Sequence, residues 1–262
     1  MNNHFFSILF LCILSIAFYS CDSSNQSTNN IDSEIVERTD CLYPDDLMYF
    51  SQDFFLAVRY EEPTGAFIDT LSKLDPAFLK RDLNTFGKSL SFWINIYNAL
   101  VQVKILNDGE AFKDQFQFFK NKDLVVAGES VSLDEIEHGI LRLKQYDNEL
   151  VNKFRLDSLD YRIHFTMNCG AASCPAIAYY RPETIQEDLH TAEKLFVEQT
   201  SSYDTLSNVL EISQLFEWFK DDFGGEEGIY KLMAQNGVIN DNARPSIHYK
   251  PYNWELKSRN YQ

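Results

Sequence analysis

Apolar side chains recur at the spacing of one helical face over the first part of the globular sequence. The stripe from Leu47 to Val58 predicts an amphipathic helix, and shorter helices are predicted over Thr64–Leu74 and Pro76–Leu83. Ser89–Leu106 is apolar around its whole circumference, which is typical of a helix that is buried on all sides. The pattern therefore predicts a buried central helix.

The second half of the chain mixes short strands with helices. Alternating side chains over Tyr161–Met167 predict a strand, and hairpins are predicted around Ala127–Ser130 and Leu206–Ile212. Capping boxes at Ser132–Glu135 and Thr184–Glu187 predict two helix starts. Because helices come first and strands are scattered among later helices, we expect an α+β fold with a small, mainly antiparallel sheet.

The start of the chain differs from the rest, because its first twenty residues contain no Lys, Arg, Asp or Glu. The apolar run Phe5–Phe18 is shorter than the about 20 residues that span a membrane, and it suits the core of a signal peptide. Cys21 follows, and this arrangement resembles the lipobox of bacterial lipoproteins, in which the signal is cut before a Cys that is then lipidated. We therefore predict a signal peptide over residues 1–20, a lipidated Cys21, a polar tether over residues 21–40 and one globular domain over residues 41–262; a plain secretory signal is the alternative.

Composition and charge limit the classes of partner that the chain is expected to bind. The chain has 23 basic and 39 acidic residues and a net charge of −16, and binding to nucleic acid depends on Lys and Arg that neutralise phosphates. We therefore predict no nucleic-acid partner, and instead a membrane partner through the lipid on Cys21. The expected location is the bacterial cell envelope, with the domain outside the cytoplasm. The chain has five cysteines; Cys12 is lost with the leader and Cys21 is lipidated, so Cys41, Cys169 and Cys174 remain as thiols. This odd number does not support a disulfide framework.

Reactive side chains are densest over residues 164–175, which read H-F-T-M-N-C-G-A-A-S-C-P. The small residues of this segment let backbone N–H groups approach an anion or an oxyanion closely. A thiol in such a setting is a candidate nucleophile, and His164 or His138 would supply the base. We expect Cys169 to be the nucleophile, with the backbone N–H of Gly170 in the oxyanion site.

The same residues also have structural explanations. Either cysteine can pack as a small apolar side chain, and Cys169 and Cys174 can instead form a local disulfide. A zinc site made of both cysteines and two histidines is a further alternative, although a single C-x4-C pair is a weak signal. The chain has no Walker loop, Rossmann glycine fingerprint, G-x-S-x-G elbow or H-E-x-x-H motif. We therefore predict no cofactor and no metal.

Four segments together resemble the family named domain of unknown function 547. They read F-W-I-N-I-Y-N-A-L (Phe92–Leu100), S-L-D-E-I-E-H-G-I-L-R (Ser132–Arg142), R-I-H-F-T-M-N-C-G-A-A-S-C-P (Arg162–Pro175) and Y-K-P-Y-N-W-E-L (Tyr249–Leu256). The resemblance implies that the polar residues of these motifs form the site, but it assigns no activity. Our catalytic candidates are Cys169, His138, His164 and Glu137, and our binding candidates are Asn95, Asn98, Asn168, Gly170 and Cys174.

A more distant similarity connects the chain with papain-like and transglutaminase-like enzymes, which place a Cys at the start of a buried helix and a His on a later strand. The helix Ser89–Leu106 and His164 occur in that order, but the helix contains no Cys. Two hypotheses follow. One is an envelope-anchored, thiol-dependent hydrolase or acyl-transferase that acts on an amide or ester bond. The other is a non-catalytic surface module, with a degenerate active site, that binds an unknown ligand or protein.

Overall fold

A computed structural model describes residues 46–261 of the chain. The signal peptide, the lipidated Cys21 and the polar tether lie outside the described residues, and they remain predictions. Among the helices of residues 46–261, none combines the length and the apolar character that crossing a membrane requires.

Helices account for most of the regular structure in the described part of the chain. The α-helices are α1 (Leu47–Arg59), α2 (Gly65–Lys73), α3 (Pro76–Asp82), α4 (Phe86–Asn107), α5 (Gln115–Lys120), α6 (Glu149–Phe154), α7 (Ile185–Thr200), α8 (Leu215–Trp218) and α9 (Gly225–Gln235). Two 3-10 helices cover Gly109–Lys113 and Tyr161–Phe165, and a π-helical segment covers Glu135–Leu141. The strands are β1 (Leu124–Val126), β2 (Glu129–Val131), β3 (Ser202–Asp204), β4 (Val209–Ser213) and β5 (Ser246–Lys250).

The predicted central helix is confirmed as α4, which is 22 residues long. It begins after Thr85, whose hydroxyl accepts a hydrogen bond from the Lys88 N–H at 3.2 Å. Trp93 and Tyr97 are fully buried on it, and α1 packs against it with its own apolar stripe. The helix is apolar all round because neighbouring elements cover every side of it.

The strands form two small sheets, and the predicted α+β class is confirmed. β1 and β2 pair antiparallel across a turn in which Ala127 and Gly128 both have positive φ, as a two-residue hairpin requires. In the other sheet, β4 pairs antiparallel with β3 and parallel with β5. Two of the three strand pairings are therefore antiparallel.

The strand predicted over Tyr161–Met167 is wrong, because Tyr161–Phe165 is a 3-10 helix. Local side-chain bonds stabilise the helical turn. The Asp160 carboxylate accepts from the backbone N–H of Arg162 at 3.0 Å, and the Thr166 hydroxyl donates to the carbonyl three residues before it at 2.8 Å. Such bonds compete with a strand ladder, and the apparent polar face is buried too.

The two capping boxes have different outcomes. The box at Ser132 is formed, since the Glu135 N–H donates to the Ser132 hydroxyl at 3.1 Å and the Ser132 N–H donates to the Glu135 carboxylate at 3.0 Å. The segment that follows it is π-helical. At Thr184 the helix begins as predicted, but the Thr184 hydroxyl donates to the Asp188 carboxylate at 2.7 Å and caps no backbone N–H, so this capping box is wrong.

Candidate functional site

A cleft of about 380 Å³ lies beside α4, the π-helical segment and the chain that follows β4. Seven of its sixteen lining residues are Phe, Tyr or Trp, and aromatic side chains are common in small-molecule sites. We call Trp218, Tyr252 and Trp254 the aromatic wall, because their ring centroids lie only 5.0–5.8 Å apart along one side of the cleft. Phe116, Phe119 and Phe219 add further rings.

The four catalytic candidates from the sequence all line this cleft: Cys169, Glu137, His138 and His164. Residues that are up to 32 positions apart in the chain are thus brought together. Within residues 46–261, however, no hydrogen bond joins Cys169 to either imidazole; its side chain contacts Tyr252 and Cys174 instead. The cysteine–histidine pair that a thiol nucleophile needs is therefore not assembled in this arrangement.

His164 belongs to a buried network at the wall of the cleft. Its Nε2 lies 2.9 Å from the Asp222 carboxylate, and the same oxygen accepts from the Arg142 Nε at 2.6 Å. Burial would raise the pKa of Asp222, but the hydrogen bonds from His164 and Arg142 hold that pKa well below its ordinary value. Burial lowers the pKa of His164, against the opposing effect of Asp222. His164 is therefore neutral with its proton on Nε2, and its buried Nδ1 has no hydrogen-bond partner within the described part of the chain.

This network predicts that acid weakens the fold through His164. The unfolded chain protonates this imidazole near its ordinary pKa of about 6.5, whereas the folded chain does so only at lower pH. Below that pH the unfolded state thus binds more protons than the folded state. The free energy of unfolding therefore decreases as the pH falls, by at most about 1.4 kcal/mol per pH unit. We expect His164→Gln, which keeps a donor for Asp222, to reduce the loss of unfolding free energy between about pH 7.5 and about pH 5 in urea titrations. His190→Gln, at an exposed site, should leave the pH dependence unchanged; equal slopes for both variants would contradict the assignment.

His138 is held by the same arginine. An Arg142 guanidinium nitrogen lies 3.0 Å from His138 Nδ1, and a guanidinium can only donate, so this Nδ1 is an acceptor and the proton lies on Nε2. Nε2 lies 3.7 Å from an Asp134 oxygen. The basic nitrogen of His138 is therefore occupied, and it cannot take a proton from Cys169 without leaving Arg142.

Glu137 differs from the other carboxylates of the cleft. Asp134 is paired with Lys120 at 2.8 Å, and Asp222 with Arg142. Glu137 accepts a hydrogen bond from the Tyr97 hydroxyl at 2.8 Å, but within the described residues it has no Lys or Arg partner. Its side chain is 16% exposed. His138 Nδ1 lies 3.5 Å from the Glu137 carboxylate, but this nitrogen accepts from Arg142, so no Lys or Arg of the described residues neutralises the charge of Glu137.

The two cysteines are free thiols, which gives the disulfide alternative no support in this state. The Cys174 sulfur accepts from the Cys169 N–H at 3.1 Å and from the Tyr252 hydroxyl at 3.2 Å. Burial opposes ionisation of Cys174, but these hydrogen bonds and one from the Cys169 thiol lower its pKa. The bond between the thiols, together with burial, raises the pKa of Cys169 well above its ordinary value. The bond between the thiols therefore favours ionisation of the buried Cys174 over ionisation of Cys169 in the cleft.

The binding candidates Asn95, Asn98, Asn168 and Gly170 lie behind the cleft and do not line it. Each asparagine is fully buried and hydrogen-bonds backbone groups. Asn95 binds both the N–H and the C=O of Tyr180, at 2.9 and 2.8 Å. The Gly170 N–H donates to the Asn168 side chain at 2.9 Å, so it is not free to bind an oxyanion. These residues fasten the cysteine-bearing loop to α4.

Several residues of the site were not predicted from the sequence. Tyr97, Tyr252 and Trp254 lie within the motifs quoted above, and their aromatic character was the signal that could have found them. Trp218 and Asp222 lie outside every motif, and no spacing in the sequence connects them to the cleft. Within residues 46–261, no three His, Cys, Asp or Glu side chains group as metal ligands do, so the described residues give no support to the zinc alternative.

Comparison with known proteins gives one match. Residues 82–197 match the model of a family described as protein of unknown function, DUF547, whereas neither the curated proteins nor the solved structures include a match to this chain. The matched segment carries α4, the π-helical segment and both cysteines, while the aromatic wall follows it. The match supports the resemblance that the motifs indicate over residues 82–197, whereas the motif Tyr249–Leu256 lies outside the matched segment.

Proposed function

We propose that the cleft binds an organic cation, with the cationic head against Glu137 and the apolar part of the ligand against the aromatic wall. The observation that carries this proposal is the Glu137 carboxylate, which has no Lys or Arg partner among the described residues, in a cleft that also contains the rings of the aromatic wall. The function is that of a binding module, one of the two classes that the sequence leaves open.

The charge of the cleft favours a cation over an anion. Lys120 neutralises Asp134, Arg142 neutralises Asp222, and both histidines are neutral in the hydrogen-bond arrangement described above. Glu137 then leaves the cleft with one negative charge. The net charge of −16 on the whole chain adds a long-range attraction for cations.

The aromatic wall favours a cation that also carries apolar surface. Rings attract cations through the negative potential of their faces, and such contacts are worth about 0.5–2 kcal/mol each. Trp218 is 43% exposed, so part of its surface is open to a ligand. An ammonium group with methyl or ring substituents satisfies both the carboxylate and the rings.

Tryptophan fluorescence tests this proposal directly. The chain has three tryptophans, of which Trp218 and Trp254 line the cleft and Trp93 is buried on α4. We expect benzyltrimethylammonium to change the fluorescence with saturation. Benzyl alcohol should bind at least about tenfold more weakly, since it lacks the charge, and benzoate should give no saturable change. A benzoate affinity equal to that of the cation would overturn the proposal.

A second candidate function is the thiol-dependent hydrolase or acyl-transferase. The observation that favours it is that Cys169, Glu137, His138 and His164 line one cleft. Among the described residues Cys169 has no histidine partner, and the hydrogen bond with Cys174 and burial raise its pKa, so a bound substrate would have to rearrange the cleft before attack. Hydrolysis of p-nitrophenyl esters or anilides that is abolished by Cys169→Ala and retained by Cys174→Ala would favour it; the absence of turnover in the wild-type protein would oppose it.

A further inference from the structure

We propose that Cys169 and Cys174 form a redox pair that carries out thiol–disulfide exchange with an organic disulfide entering the cleft. This activity is separate from cation binding, since it depends on the loop that carries the two thiols and on no charge of the ligand. Neither thiol has another role in the binding site proposed above.

The two thiols have the positions that exchange requires. Cys169 lines the cleft, where a disulfide can reach it, whereas Cys174 is 7% exposed and lies behind it. The sulfurs contact one and the same hydroxyl, that of Tyr252, at 3.6 and 3.2 Å. The Cys174 sulfur is also 3.1 Å from the backbone nitrogen of Cys169. The two sulfurs are therefore close neighbours, and side-chain rotation brings them towards bonding distance.

The surrounding loop keeps this arrangement in place. The Ala172 N–H donates to the Glu255 carbonyl at 2.8 Å, and the Ser173 N–H donates to the Asn253 carbonyl at 3.2 Å. The Cys174 N–H closes a turn on the Ala171 carbonyl at 3.0 Å. The backbone between the cysteines is thus fixed on both sides of Tyr252, which limits the opening of the pair.

The positions of the two sulfurs, Cys169 in the cleft and Cys174 behind it, set the order of a two-step exchange. In the first step the Cys169 sulfur attacks the ligand disulfide; its proton passes to the ligand sulfur that leaves as a thiol, and a mixed disulfide forms at Cys169. In the second step the Cys174 sulfur attacks the Cys169 sulfur; its proton passes to the second ligand sulfur, which leaves as a thiol. The protein dithiol is oxidised to an internal disulfide, and the organic disulfide is reduced to two thiols.

The test uses the full chain, reduced under anaerobic conditions, and 2-hydroxyethyl disulfide. This probe is uncharged, so failure of the cation proposal would not affect the result. We expect mass spectrometry to find the peptide that carries both Cys169 and Cys174 without an adduct and lighter by two hydrogens. In Cys174→Ser the reaction should stop at one mercaptoethanol adduct on Cys169, and in Cys169→Ser it should give no adduct on Cys174.

Two results would overturn this proposal. One is that the wild-type chain, mapped by peptide after the same treatment, carries separate adducts or no modification at these two cysteines. The other is that Cys174→Ser and Cys169→Ser take up the probe equally fast. The wild-type mapping needs no variant to fold, so it decides the question even where a substitution destabilises the chain.

Discussion

Replacing Asn98 by alanine lowers the free energy of unfolding by about 2–6 kcal/mol. Asn98 is fully buried on α4; its amide nitrogen donates to the Thr166 carbonyl at 2.9 Å, and its oxygen accepts from the Asn168 N–H at 2.8 Å. The alanine would leave two buried backbone groups without partners, and each costs about 1–3 kcal/mol. The loss is large because a single side chain satisfies both groups at the start of the cysteine-bearing loop.

Urea denaturation monitored by circular dichroism measures this effect. Asn152→Ala is the matched control, because the Asn152 side chain also hydrogen-bonds a backbone carbonyl, that of Tyr146 at 3.2 Å, but on the exposed surface. The control should cost no more than about 0.5 kcal/mol. Equal losses for the two variants would show that Asn98 does not hold the loop to α4.

Gly170→Ala should cost about 2–4 kcal/mol, since it combines backbone strain with a steric overlap. Gly170 lies directly after Cys169 with a φ of +92°, and a Cβ built there would be 2.5 Å from Cδ1 of Ile105 and 3.3 Å from a ring carbon of Phe112. Both neighbours are buried. The side chain of an alanine would therefore push against the packed end of α4.

Two further variants separate the two contributions to this loss, backbone strain and steric overlap. Gly128→Ala has a similar φ of +84° with no atom within 4 Å of the added Cβ, so it should show only the strain, about 1 kcal/mol. The double variant Gly170→Ala, Ile105→Val removes the overlapping methyl group, and it should be more stable than the sum of the two single changes predicts. A loss at Gly170 no larger than that at Gly128, measured in the same urea titrations, would contradict the steric argument.

The predictions from the sequence were most accurate for elements whose structure follows from a local pattern of apolar and polar residues. The all-round apolar pattern of Ser89–Leu106 identified α4 to within three residues, because burial on every side leaves a direct trace in the sequence. The alternation of apolar and polar side chains over Tyr161–Met167 predicted a strand, which is wrong. Because both sets of side chains are covered in the fold, this alternation does not reflect one buried and one exposed face. There the cap at Asp160 decides the conformation.

The candidate site was only partly accessible to the same reasoning. Motif residues such as Cys169 and Glu137 do line one cleft. Their partners depend on pairings between distant segments: Asp222 lies 80 residues after Arg142, and Tyr252 lies 83 residues after Cys169. No spacing rule predicts such contacts. The roles that these contacts give the thiols and the histidines therefore emerged only from the fold.

The affinity of Glu137→Gln for benzyltrimethylammonium shows whether Glu137 holds a cation in the aromatic cleft. The matched control is Glu129→Gln, which removes the same charge from an exposed position at the start of β2. We predict that Glu137→Gln binds the cation about tenfold more weakly than the wild-type protein, corresponding to about 1.4 kcal/mol, while Glu129→Gln binds it unchanged. A Glu137→Gln protein that binds the cation as tightly as the wild type would show that Glu137 does not hold it.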